Sequence, residues 1–267
     1  MSETVLVTGA SSGFGWEFAR LFAGDGSSLV LVARRRERLE ELGSELRARH
    51  AVPVRILPED LAEPEAPQRL FDALRGEPVD VLVNNAGFGA RGDFARLSLA
   101  RQEEMIGVNV AAVTRLARLF LPGMLERRRG GILNLASTAG FQPGPHMAVY
   151  YATKAYVLSF SEALSEEVRG TGVRVTCLAP GASETGFASE ADMSGTRLFR
   201  LGAMSAAEVA RAGYRGFRSG RTLVVPGWRN KIGAASLRIS PRSLVTRLVG
   251  KLNEKTGDQA VRKKEIH

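Results

Sequence analysis

The sequence predicts an α/β protein: one domain built on a doubly wound, seven-stranded parallel sheet with helices on both faces. Three observations carry that expectation. Short runs rich in Val, Ile and Leu recur along the 267 residues, with helix-like segments between them. These runs are near-continuously apolar, as strands buried on both faces are, and do not alternate. No linker, repeat or break in composition divides the chain, which is long enough to bury a large core.

The first run, TVLVTG (4–9), passes through GASSGFG into the helical segment WEFARLFAG. Glycines at such a strand-to-helix turn let backbone approach a pyrophosphate, and the helix N-terminus adds N–H donors and a positive dipole end. The second run, SLVLVAR (28–34), ends in Arg34, Arg35 and Arg36 after Ala33, with no acid at the turn. A carboxylate there would bond the ribose hydroxyls of NAD, whereas guanidinium groups suit a 2′-phosphate, so NADP (as NADPH) is expected. The remaining strands are VPVRIL (52–57), VDVLVNNAG (79–87), GGILNLAS (130–137), GVRVTCLAPG (172–181) and RTLVVPG (221–227). Segment 182–220 breaks this rhythm and is expected to form helices and loop outside the sheet, covering a substrate. Residues 1–227 are therefore read as the dinucleotide-binding and catalytic domain, and 228–267 as a basic amphipathic extension without further strands.

Composition excludes several classes. A single cysteine, Cys177, permits no internal disulfide, and no Cys/His cluster has metal-ligand spacing, so no metal is expected. No apolar run approaches the roughly 20 residues of a membrane span. The start MSETVLVTGASSG lacks the basic region of a signal peptide, and the cytoplasm is the expected location. Residues 227–267 hold ten Lys and Arg against three acids, a net of +7, which leaves +2 of the formal +9 for the rest. No nucleic-acid motif accompanies this charge, and nucleic acid is not expected as a partner. In the extension, Leu244, Val245, Leu248, Val249 and Leu252 form one apolar stripe, with Arg242, Arg247 and Lys251 off it. It is expected to dock on its own domain or a sister subunit; the alternative is peripheral contact with a membrane.

The stretch AVYYATKAYVLSFSEAL (148–164) holds three of the four tyrosines and one lysine. On a helix Tyr150 and Lys154, four apart, share a face. An adjacent ammonium favours phenolate, which would let Tyr150 exchange a proton near neutral pH. Taken by itself, this window fits an amphipathic helix with aromatic core packing better than it fits chemistry.

TGASSGFG at the first strand, NNAG at 84–87, Ser137, and Tyr150 with Lys154, in that order, resemble the short-chain dehydrogenase/reductase family over about residues 3–227. The resemblance implies a Rossmann-type fold and a homo-oligomer, dimer or tetramer. It implies a catalytic set of Asn109, Ser137, Tyr150 and Lys154. In that set Tyr150 is the general acid for carbonyl reduction and Lys154 lowers its pKa and holds the nicotinamide ribose. Ser137 bonds the substrate oxygen, and Asn109 anchors a water leading from Lys154 to solvent. Tyr151 falls at a variable position of the family. Cofactor contacts would come from Gly9, Ser11, Ser12, Gly13, Phe14 and Gly15, from Arg34 and Arg35, and from Asp60 and Leu61. Asn85, Ala86 and Gly87, then Tyr150, Lys154, Pro180, Gly181 and Thr185, would complete them. Phe14 departs from the isoleucine usual in the family.

The substrate side offers Phe141, Met147, Phe187, Met193, Leu198 and Phe199, with His146 four residues before Tyr150. Ser137, Phe141, His146, Tyr150 and Phe187 are the expected substrate contacts. Such a lining suits a lipophilic carbonyl compound. The expected activity is NADPH-dependent reduction of a lipophilic ketone or 3-oxoacyl compound. Alcohol oxidation and a non-catalytic dinucleotide-sensing module are the alternatives.

Overall fold

The computed structural model describes residues 3–184, 191, 196, 203–237 and 239–254. The described strands are β1 (Thr4–Thr8), β2 (Ser28–Ala33), β3 (Val54–Pro58), β4 (Val81–Asn84), β5 (Gly130–Leu135), β6 (Val173–Leu178), β7 (Ser183–Glu184), β8 (Met204–Ser205) and β9 (Leu223–Val224). The seven predicted runs supply one parallel sheet in the order β3-β2-β1-β4-β5-β6-β9, and β7 and β8 pair apart from it. Chain order reverses at β1, which lies between β2 and β4. In doubly wound sheets such a reversal opens a crevice at the carboxyl ends of the strands.

The described helices are α1 (Gly13–Gly24), α2 (Arg36–His50), α3 (Ala66–Ala73), α4 (Leu99–Ile106), α5 (Val113–Glu126), α6 (Ala148–Glu167), α7 (Ala206–Arg218), α8 (Trp228–Ser236) and α9 (Arg242–Asn253). The strand pleat decides which layer each helix joins. Val5 and Val7 face one side with Phe18, Phe22, Leu39 and Leu42, whereas Leu6 faces the other with Leu70, Met105 and Phe120. Each fully buried Leu or Phe contributes roughly 1.5–3 kcal/mol, so both layers hold the sheet. At the β3 edge every residue is half-buried. There Arg55 reaches Glu77 at 2.6 Å, a charged edge that discourages pairing with another chain.

Two points add to the sequence reading. The described part of segment 182–220 includes a helix outside the sheet, as expected, and that helix packs on the core. Helix α7 places Val209, Ala210 and Phe217 in the same core as Phe18 and Phe22, and Tyr214 and Phe217 meet Phe22 edge-on. Their spacing puts all of them on one helical face. Second, α4, a π turn at Gly107–Ala112 and α5 run on as one 28-residue helix, Leu99–Glu126, long and apolar enough by length and composition to cross a membrane. The sequence reading expected no such run. Here the helix lays Met105, Ala112, Leu116, Ala117, Phe120 and Met124 into the core.

The stripe of the extension splits in two. Val245 and Val249 join the core cluster that also holds Met147, Tyr150 and Tyr151, while Leu244 and Leu248 remain 62% and 57% exposed. The stripe is too broad for one contact: Leu244 and Leu248 form one edge, and Val245, Val249 and Leu252 the other. α8 buries no residue.

Candidate active site

A cavity of about 620 Å³ lies along the carboxyl ends of the strands, lined by Gly9 after β1, Arg34 after β2, Asp60 after β3, Asn85 after β4, Ser137 after β5 and Pro180 after β6. That volume is within the usual range for small-molecule sites.

One end is a backbone cradle. Gly9 has φ +65°, and a Cβ there would come within 2.9 Å of Ala86 Cα. A Cβ on Gly15 would lie 2.3 Å from the Gly9 carbonyl oxygen. Neither position admits a side chain, so the turn runs flat against the next strand end. Thr8 Oγ1 fastens the two together, donating to the Val83 carbonyl at 3.1 Å and accepting from the Asn85 and Ala86 N–H groups, each at 3.0 Å. The Asn85 side chain donates to the carbonyls of Thr8 and Gly9. Ser11, Ser12, Gly13 and Phe14 line the cavity above this seam, at the N-terminus of α1. Across from them Arg35 Nη2 donates to Ser11 Oγ at 3.0 Å and Ser12 Oγ at 3.3 Å. Arg34 Nη1 lies 3.7 Å from Glu104 and 4.0 Å from Asp60. Asp60 Oδ1 also accepts from the Ala62 N–H.

The other end holds the reactive groups. Tyr150 is buried at the cavity wall and is hydrogen-bonded to Ser137. Ser137 Oγ accepts from the Ala139 N–H at 3.1 Å and donates to the Pro180 carbonyl at 3.3 Å. Burial pushes the Tyr150 phenol well above its ordinary range; the bond with Ser137 offsets part of this. Burial likewise brings the Lys154 ammonium down to about 8. Its Nζ donates to the Leu135 carbonyl at 2.8 Å and lies 5.8 Å from the Tyr150 ring centroid. In the cavity as it stands, burial sets the direction of both shifts. Burial dominates, and it disfavours the charge of both groups. A neutral phenol beside a serine hydroxyl gives two O–H donors for one carbonyl oxygen once the serine O–H turns from the Pro180 carbonyl to the substrate.

Asn109 sits in the π turn, a distortion common at functional sites. Its Nδ2 donates to the Phe88 carbonyl at 2.9 Å and to Thr153 Oγ1 at 3.1 Å, and its Oδ1 accepts from the Phe88 N–H at 3.1 Å. A Cβ on Gly87 would lie 2.9 Å from that Oδ1 and 3.4 Å from Lys154 Nζ. Asn109 thus clamps the segment after β4 against α6, close to the lysine.

The cavity therefore gathers Ser137, Tyr150 and Lys154 with the glycine turn, Arg34, Arg35, Asp60, Leu61, Asn85, Ala86, Gly87, Pro180 and Gly181. Gly15 lies beneath the turn, outside the lining. Phe141 and His146 do not line the cavity. Phe141 packs with Ala136, Val157, Leu158, Cys177 and Ala179. His146 takes φ +65° and pairs through Nδ1 with Asp93 at 2.9 Å, beside a separate small cleft with Phe94 and Met105. Thr185, Phe187, Met193, Leu198 and Phe199 lie outside the described residues. The sequence reading missed Phe88, Tyr151, Val249 and Leu252 as part of the wall. For Val249 and Leu252 the apolar stripe was a signal; the spacing around Tyr150 gave none for Tyr151.

The short chain dehydrogenase family matches residues 3–194. The chain belongs to that family. It is 43% identical over 191 residues to sulfoacetaldehyde reductase 2 of Chromohalobacter salexigens, covering 70% of this chain and 75% of that one. Over 226 residues it is 34% identical to ketoacyl reductase HetN of Nostoc, covering 84% and 78%. Among solved structures, a short-chain dehydrogenase from Sphingobium yanoikuyae in complex with NADPH superposes with TM-score 0.81 at 34% identity, over 91% of this chain and 95% of that one. Another from Burkholderia phymatum, in complex with NAD, gives 0.80 at 30% identity, over 89% and 92%. This short-chain dehydrogenase is an oxidoreductase with a dinucleotide cofactor.

Proposed function

We propose that this short-chain dehydrogenase reduces a lipophilic ketone or 3-oxoacyl-type carbonyl with NADPH, and that Tyr150 is the general acid. The observation carrying this reading is the Tyr150–Ser137 hydrogen bond at one end of a cavity whose other end is a backbone cradle faced by two arginines. The reductases among the relatives and the NADPH complex among the structural neighbours support it.

The residues fit a dinucleotide. The space that a Cβ at Gly9 or Gly15 would need is closed, so flat backbone and the α1 N-terminus face the cavity, as a pyrophosphate requires. Arg35, aimed at Ser11 and Ser12, and Arg34 would hold a 2′-phosphate. Asp60 and Leu61 would meet the adenine side, and Lys154 and Asn85 to Gly87 the nicotinamide side. When bound, NADPH supplies the hydride for the carbonyl carbon.

The remaining chemistry belongs to the chain. Ser137 and Tyr150 orient the substrate oxygen, and Tyr150 gives it a proton as negative charge develops there. Because burial holds the phenol protonated well above neutral pH, the acid form is the one present during reduction. Lys154 keeps its charge beside the site below about pH 8, where it offsets the phenolate left behind. The substrate is lipophilic because Phe88, Met147, Tyr151, Val249 and Leu252 surround this end. Exposed Leu99 and Ile106 on α4 and Tyr156 on α6 support a homo-oligomer.

NADPH and NADH consumption measured with medium-chain methyl ketones, 3-oxoacyl thioesters and sulfoacetaldehyde tests the reading. Turnover of a lipophilic ketone or thioester with a preference for NADPH is expected. Reduction of sulfoacetaldehyde alone would overturn the substrate class, and equal use of NADH would overturn the cofactor choice.

A further inference from the structure

The catalytic helix α6 is joined to the C-terminal helix α9 by a contact spanning more than a hundred residues. Asn253 is fully buried and uses both ends of its carboxamide. Its Oδ1 accepts from the Tyr151 hydroxyl at 3.2 Å, and its Nδ2 donates to the Pro145 carbonyl at 3.0 Å. Two such bonds to one buried amide fix the register of a helix, because a shift of one turn leaves three polar groups buried without partners. Gly250 seats against Pro145 so closely that a Cβ would stand 3.3 Å from its Cγ. In this register Val245 and Val249 enter the core, and Val249 and Leu252 become part of the wall of the cavity that holds Ser137, Tyr150 and Lys154.

We propose that α9 is the specificity element of the substrate compartment. Val249 and Leu252 select an apolar substituent on the carbonyl carbon, and the Tyr151–Asn253–Pro145 hydrogen bonds hold them in place. Tyr151, adjacent to the general acid, is on this reading a positioning residue and takes no part in proton transfer. That assignment accounts for two aromatic hydroxyls side by side with different partners: Tyr150 is bonded to Ser137, and Tyr151 to Asn253. It also accounts for the two edges of α9. Leu244 and Leu248 are exposed because the selecting edge alone is latched. The proposal rests on the reading that the cavity receives a lipophilic carbonyl.

The test is a series of methyl ketones of increasing alkyl length, assayed with NADPH for wild type, Leu252→Ala, Leu252→Met, Tyr151→Phe and Leu248→Ala. Leu252→Ala should shift the ratio of kcat/KM for long over short ketones by about tenfold or more, the scale set by one or two methylene contacts in an apolar pocket. Leu252→Met, which keeps the bulk, should shift it less than threefold (roughly; volume-conserving swaps cost little). Tyr151→Phe should raise KM for long ketones severalfold, by more than it raises KM for the shortest ketone and by more than it lowers kcat. Leu248→Ala, on the outward edge, should match wild type. An unchanged ratio in Leu252→Ala, or equal losses of kcat and NADPH affinity in Tyr151→Phe, would overturn the proposal. If wild type reduces no ketone, the substrate reading fails by itself. Nile red titration of the same variants then decides the role of α9: weaker binding in Leu252→Ala and Tyr151→Phe supports it, and wild-type binding in both refutes it.

Discussion

The two ends of the cavity are built in different ways. At the cofactor end the wall is backbone and short side chains held by neighbouring strand termini: Thr8 bonds across to Val83, Asn85 and Ala86, and Gly15 has no room for a methyl group. At the substrate end the wall is side chains brought from distant parts of the chain, with α9 latched by Tyr151 and Pro145. The first construction fixes one shape for one cofactor. The second lets the apolar residues change while Ser137, Tyr150 and Lys154 stay in place. Substitutions should therefore have different signatures at the two ends.

The largest effect is expected at Gly15. Gly15→Ala drives a Cβ toward the Gly9 carbonyl, and backbone cannot move aside as a flexible side chain would. Overpacking of this kind costs roughly 1–3 kcal/mol. Calorimetry should show a Tm lowered by several degrees, and titration should show NADPH and NADH affinity both lost. Retained affinity for either would mean that the cradle tolerates a side chain and the contrast between the two ends is weaker than described.

Next in size is the arginine pair. Arg35→Ala removes the guanidinium aimed at Ser11 and Ser12, and Arg34→Ala removes the one near Glu104 and Asp60. A charge-assisted hydrogen bond is worth roughly 1.5–3 kcal/mol, so each should cut the preference for NADPH over NADH by about 10- to 150-fold. Arg35 should give the larger loss, since Arg34 must first leave its acids. Dissociation constants for both cofactors check this; parallel losses would assign the arginines to the helix start alone.

The glycine turn, the arginines and the Tyr150/Lys154 pair were legible in the sequence because each is a local pattern at a strand end or within one helical turn. The strands were legible for the same reason, the inner ones being apolar on both faces and the β3 edge a short run rich in Val, Ile and Leu. The two edges of α9 were not. Leu244 and Val245 are equally apolar, and which of them is buried is decided by Asn253 and Gly250 meeting Tyr151 and Pro145. Nor could spacing reveal that Tyr150 and Lys154 are buried together, which disfavours the charge of each. His146 looked like a site residue from its distance to Tyr150, yet its positive φ and its bond to Asp93 turn it elsewhere.

A smaller effect concerns pH. Burial brings the Lys154 ammonium from 10.5 down to about 8, so between those values the folded chain binds fewer protons than the unfolded one. Stability should then rise with pH across that window and be lowered below about 8, where a charge is held in the wall. Tm measured at intervals from pH 7 to 10 (roughly the span that linkage selects), for wild type against Lys154→Met, isolates the contribution. Parallel curves would mean that Lys154 is solvated. The smallest effect is expected on the outward edge of the arm. There exposed Trp228, Ile232, Leu244 and Leu248 lie among Arg229, Lys231, Arg242, Arg247 and Lys251. Weak binding to anionic vesicles at low salt, screened away beyond about 0.15 M, would mark charge attraction alone. Binding that persists in high salt and is lost in Leu248→Asp would mark insertion.

The chemistry lies where the two ends meet, at Tyr150. Its direct measurement is single-turnover reduction of a lipophilic ketone by NADPH-loaded protein, comparing wild type with Tyr150→Phe, alongside the NADPH dissociation constant of each. Turnover should fall by about 10²–10⁴-fold, the range for loss of a positioned general acid, while NADPH affinity stays within about twofold, far below the 1.4 kcal/mol that a tenfold change represents. Turnover that survives the substitution, or affinity and turnover that fall together, would contradict Tyr150 as the proton donor.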